Sequence, residues 1–168
     1  SPTVDEPAHI VRGLSYLPSS WKIGLRRHPP LVNMLEALLL VGRADVVLPL
    51  DSEAWRNPEW VAFSDAFLWE TGNDADLVIY LSRLPVILLA AGLGLLVFRF
   101  AGEIAGPAGG LAALLAFTLD PNLVAHSRPA TTDLGVTAFL FAAVYAWWRM
   151  AQKPRPRWIV AAGVTLGL

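Results

Sequence analysis

The chain has 168 residues, of which 55% are hydrophobic and 16% charged, and its mean hydropathy is +0.49. That is too apolar for an ordinary soluble domain, and a formal net charge of −1 excludes a basic nucleic-acid-binding surface. With no cysteine, disulfides and thiolate metal sites are excluded as well, so stability must come from packing and lipid.

The sequence falls into two regions, 1–80 and 81–168. Eleven acids and seven Lys/Arg lie up to Leu84, against three and six from Pro85 onward. Ser1-Pro2-Thr3-Val4 shows neither the basic nor the apolar part of a signal peptide, and the last residues, Trp158 to Leu168, are an apolar run. The chain therefore reads as an excised piece of a longer membrane protein, expected to be inactive alone.

In chain order, Val4 to Leu17 has helix-like apolar spacing, with Pro7 tolerated in the first turn. Leu31 to Val41 is a second helical pattern, opened by Pro29-Pro30 and too short to span a bilayer, so an interfacial helix is expected. Trp55 to Trp69 carries three tryptophans and two phenylalanines among charges, which again reads as an interface composition. Thr71-Gly72-Asn73-Asp74 is a turn. Four apolar segments follow, at about 81–100, 104–120, 134–149 and a cut-off one at 158–168. A hydrocarbon core of roughly 30 Å needs about 20 helical residues, so these are predicted membrane helices.

The loop from Arg149 to Arg157 holds four basic residues, at positions 149, 153, 155 and 157, and no acid, which makes it cytoplasmic by the positive-inside rule. Alternation then puts the Ala101–Gly106 loop on the same side, with residues 1–80 and the Asp120–Asp133 loop outside. Acids of both outer segments, Asp5-Glu6 and Asp133, would share one membrane face. Asp5 reads locally as a helix cap or first-turn acid, and Asp133 after Thr131-Thr132 as another cap; a catalytic carboxylate is the competing reading for each. Arg83, at the outer end of a membrane helix, is either a snorkelling anchor or a phosphate ligand, and Arg12 and Arg128 are weaker phosphate candidates. His9, His28 and His126 have no metal-ligand spacing. Asp5 and Glu6 leave room for a divalent metal, on a thin basis of two adjacent carboxylates.

Five stretches carry a resemblance: DEPAHIVRGLSYL from Asp5, HPPL at His28–Leu31, FLWETGND with SRLP up to Pro85, DPNLVAHSRPATTD at Asp120–Asp133, and YAWWR at Tyr145–Arg149. In this order they resemble the dolichyl-phosphate-mannose–protein mannosyltransferase-like group, glycosyltransferase family 39 and its bacterial relatives. The resemblance implies an all-α, polytopic transmembrane bundle of the GT-C type, with interfacial helices in a long first external loop. It also implies an inner-membrane glycosyltransferase, inverting in mechanism, that moves a sugar from a polyprenyl-phosphate donor to a protein or glycolipid acceptor on the external face. Carried over by position, Asp5 becomes the essential carboxylate, supported by Glu6 and Asp133, with Arg83, His28, Arg12 and Arg128 on the substrate side. The basic Gly24-Leu25-Arg26-Arg27 departs from the polar stretch usual before HPPL. The alternative is a non-enzymatic transporter or flippase of lipid-linked saccharides, which should place ionisable groups in mid-membrane.

Overall fold

The computed structural model describes residues 2–16, 30–56 and 59–167, and every regular element among them is helical. The helices are α1 (Glu6–Ser15), α2 (Pro30–Ala37), α3 (Glu53–Arg56), α4 (Trp60–Asp65), α5 (Ala75–Leu119), α6 (Pro121–His126), α7 (Thr132–Gln152) and α8 (Pro156–Gly167). A π-helical turn, Ala66–Glu70, continues α4. The expected all-α membrane fold is present. The residues form two compact units, one of Ser1–Val86 with Arg128–Thr132, the other of Ile87–Ser127 with Asp133–Leu168.

In the first unit Ile10, Val11 and Leu14 form the apolar stripe of α1 and pack with Ala37, Leu40, Phe63, Phe67, Leu68, Val78, Ile79 and Ala130. Helices α1 and α2 approach so closely at Gly13 that a Cβ there would overlap the Asn33 carbonyl and come within 2.8 Å of Ala37 Cβ. Because the obstacle is backbone, Gly13→Ala is expected to destabilise this unit by about 1–3 kcal/mol, read as a lower melting temperature of the purified protein in detergent. An unchanged melting temperature would show that the two helices separate freely.

The structure departs from two of the sequence expectations here. Helix α2 ends at Ala37 rather than Val41, and the chain turns through hydrogen bonds from the Leu40 N–H to the Ala37 carbonyl and from the Arg43 N–H to the Leu40 carbonyl, with Gly42 left-handed (φ 75). The aromatic run 55–69 is divided: Phe63, Phe67 and Leu68 are buried in the core and Trp55 tilts against Phe63 at 5.3 Å, whereas Trp69 is exposed. The π turn presents Ala66, Phe67 and Leu68 to the core. Asn73 then locks the connection. Its Oδ1 accepts the Val47 N–H at 2.8 Å, and its Nδ2 donates to the carbonyls of Val47 (2.9 Å) and Phe67 (2.7 Å). Asp74 caps α5 by accepting the Leu77 N–H.

Among the described residues two helices are long and apolar enough to cross a membrane, Ala75–Leu119 and Thr132–Gln152. The first is not straight. Gly106 has φ 76 and ψ 178, a conformation essentially confined to glycine, and it divides α5 into arms 75–105 and 107–119. Along a straight helix Gly94 and Phe117 would lie roughly 34 Å apart. Instead the Phe117 ring is 3.1 Å from the Cβ position of Gly94, so within the second unit the arms run back on one another. Pro107 opens the return arm, where its missing N–H costs nothing. The predicted loop at 101–106 is therefore helix up to Gly106. Asp120 caps α6, accepting the N–H groups of Asn122 (2.8 Å) and Leu123 (3.0 Å), with Pro121 at the first helical position.

Candidate functional site

The site candidates of the first unit gather around the start of α1. Asp5 occupies the N-cap position with φ −92 and ψ −21, yet its side chain makes no capping hydrogen bond. Only its backbone carbonyl engages the helix, accepting the N–H groups of Ala8 (3.1 Å) and His9 (3.2 Å). The carboxylate is exposed. The simple capping role open to it in the sequence is thus not the one its side chain performs.

Glu6, one residue on, is enclosed: its relative exposure is 0%. Its Oε1 accepts from Arg83 Nε at 2.7 Å and from the Ala130 N–H at 2.8 Å. Its Oε2 accepts from Arg83 Nη2 at 2.8 Å, from the Thr3 N–H at 2.7 Å and from Thr3 Oγ1 at 3.2 Å. Burial alone would raise this carboxyl, but the Arg83 hydrogen bond and the Thr3 and Ala130 N–H groups outweigh it and hold the group below the usual carboxylate range. A carboxylate so coordinated has little capacity to take a proton. Its geometry is that of a clamp joining α1, the first turns of α5 and the 128–132 loop.

Sequence reasoning missed a second buried acid. Glu36 of α2 has 0% exposure, and neither of its oxygens has a hydrogen-bond partner among the described residues. Asn33, one turn earlier and also at 0%, accepts from His9 Nδ1 through its Oδ1 at 3.1 Å, while its Nδ2 has no hydrogen-bond partner among the described residues. The signal was there: Asn33 and Glu36 interrupt an otherwise apolar run at positions sharing a face with Val32, Ala37 and Leu40, all of them buried. Burial pushes the Glu36 carboxyl up to about 8, with the negative Glu6 adding to the rise and Arg12 opposing it.

The sign of the resulting pH dependence is fixed by that direction. A carboxyl that holds its proton more tightly when folded contributes its full stability below its ordinary value of 4.5, and loses it as pH rises to about 8. The loss amounts to about 1.4 kcal/mol per pH unit in that window. Glu36→Gln, uncharged and of the same shape, is expected to flatten the melting temperature between about pH 5 and 8 and to exceed the parent at the upper end. Parallel curves for the two proteins would contradict it.

The remaining sequence candidates are placed as follows. Arg83 is held by Glu6, and Arg12 is 5% exposed, within the electrostatic reach of Glu36. Arg128 is exposed. Asp133, in the second unit, lies in the first turn of α7 and is exposed; its Oδ2 is 3.5 Å from His126 Nδ1. His28 and the basic residues 26 and 27 lie outside the described residues. Among the described residues no three His, Asp or Glu side chains converge as a metal site. Asp5 faces solvent while every Glu6 oxygen is engaged, so their adjacency in sequence does not make them a chelating pair.

Comparison with known families finds a match between residues 75–168 and the family model described as dolichyl-phosphate-mannose-protein mannosyltransferase. Comparison with curated proteins and with solved structures returns no match.

Proposed function

The chain belongs to the dolichyl-phosphate-mannose-protein mannosyltransferase family, and from that premise we propose sugar transfer from a polyprenyl-phosphate donor, with Asp5 as the catalytic base. Family membership makes it a membrane glycosyltransferase of the GT-C type. The acceptor is a hydroxyl or amine of a protein or glycolipid on the non-cytoplasmic face.

The observation that supports this reading best is the contrast between two neighbouring carboxylates. Glu6 is spent on five hydrogen bonds, whereas Asp5 is exposed with its oxygens uncommitted to the helix. Base chemistry needs a carboxylate that substrate can reach, on a backbone that does not move. In the proposed step the acceptor oxygen or nitrogen attacks the anomeric carbon as Asp5 takes its proton. The bond from that carbon to the donor phosphate oxygen breaks, and polyprenyl phosphate leaves with the electron pair. One displacement inverts the anomeric configuration. Arg128, exposed in the unit that holds Asp5, offers a guanidinium for the donor phosphate.

Reconstitution of the intact protein with a polyprenyl-phosphate sugar tests the reading. Acceptor-dependent release of polyprenyl phosphate is the expected result. Passage of the intact donor across the bilayer with no release would instead favour the transport alternative.

A further inference from the structure

The second unit holds a cavity of about 530 Å³ at the α7–α8 connection, lined by Glu103, Trp148, Arg149, Lys153, Arg155, Arg157 and Trp158 among others. Four of these side chains are cationic and one is acidic. The acid is already committed: Glu103 Oε2 accepts from Arg149 Nη1 at 2.7 Å, and its Oε1 accepts from Tyr145 Oη at 2.9 Å and Arg99 Nε at 3.2 Å. Lys153, Arg155 and Arg157 have no carboxylate within ion-pair distance among the described residues.

These cations are organised, not merely numerous. The guanidinium carbons of Arg149 and Arg157 each lie 5.0 Å from the ring centre of Trp158. Trp158 in turn meets Tyr145 edge-on at 6.0 Å, and Phe100 meets Trp148 at 5.0 Å, so the platform is fixed to α5 and α7. Pro154 and Pro156 disfavour helical backbone at the residues before them, and the chain is out of helix at 153–155. The cavity opens where the apolar stretch of α7 ends and that of α8 begins, the level at which a membrane presents its headgroups.

We propose that this cavity binds the phosphate of an anionic phospholipid headgroup from the surrounding membrane. The recognised chemistry is a phosphate oxyanion: planar guanidiniums pair with two of its oxygens, Lys153 supplies a point charge, and the tryptophans pack on the glycerol portion. A free phosphate ion offers the same oxyanion but no attachment to the apolar rim, which is why lipid is the occupant. Charges that serve only to orient a membrane helix need neither a tryptophan platform nor a carboxylate hydrogen-bonded to three side chains to arrange them.

The test uses the intact protein purified in mild detergent and exposed to phosphatidylglycerol or phosphatidylcholine, with retained lipid counted by native mass spectrometry. Phosphatidylglycerol is expected to be retained about tenfold over phosphatidylcholine, and the double variant Arg155→Gln/Arg157→Gln to lose that preference. Both residues are exposed, so the variant should fold. Arg157→Lys keeps the charge count of the loop but not the planar fork, and is expected to lower retention to an intermediate level. Equal retention of the two lipids, an unaltered preference in the double variant, or displacement of the lipid by excess inorganic phosphate would overturn the proposal.

Discussion

Asp5→Asn in the intact protein is expected to lower sugar transfer by about 10²–10⁴-fold while leaving the melting temperature unchanged. The second half of that expectation comes from the structure. Because the Asp5 side chain contributes no capping bond, its conversion to the amide removes no hydrogen bond from α1. The amide retains the shape and polarity of the acid and loses only the capacity to take a proton. Transfer at the parental rate would remove Asp5 from the mechanism. A fall in melting temperature together with activity would instead assign it a structural role, and an assay of donor binding separates the two: binding should persist in Asp5→Asn.

Replacing either member of the Glu6–Arg83 pair is expected to have the largest effect on stability. Glu6 is fully enclosed and the Arg83 side chain is 21% exposed, so removing one partner leaves the other charged in a poorly solvated place, at a cost of about 3–5 kcal/mol. Glu6→Ala additionally strands the N–H groups of Thr3 and Ala130. Arg83→Met should be less damaging in a Glu6→Gln background than alone, since the unpaired charge is then gone, and the double-mutant cycle measures that coupling. Additive effects would mean that the pair is not coupled. The same variants decide between two roles for Arg83. A donor ligand would raise KM for the lipid-linked sugar with little change in melting temperature, whereas a clamp lowers the melting temperature first.

Much of this was legible in the sequence, for definite reasons. Helix α7 is found at Thr132–Gln152 where an uninterrupted apolar stretch predicted it, because length and hydropathy are sufficient to specify such a segment. Glu6 was seen only as a companion of Asp5. Its 77-residue separation from Arg83 and 124-residue separation from Ala130 leave no mark on local pattern. The π turn that carries Phe67 and Leu68 has no punctuation in the sequence. Glu36 was hidden differently: it sits in a run read as an interfacial helix and was not singled out there, and only the packing of α2 against α1 reveals it as enclosed.

With a single residue reversing the chain at Gly106, the two arms of α5 are delivered almost without a linker between them. The return arm, 107–119, rises only about 20 Å, short of a hydrocarbon core of roughly 30 Å. It is thus too brief to partition into lipid on its own account during synthesis. Biogenesis must therefore treat 75–119 as one hairpin, admitted to the bilayer by the hydrophobicity of its leading arm, with the trailing arm carried in as its passenger.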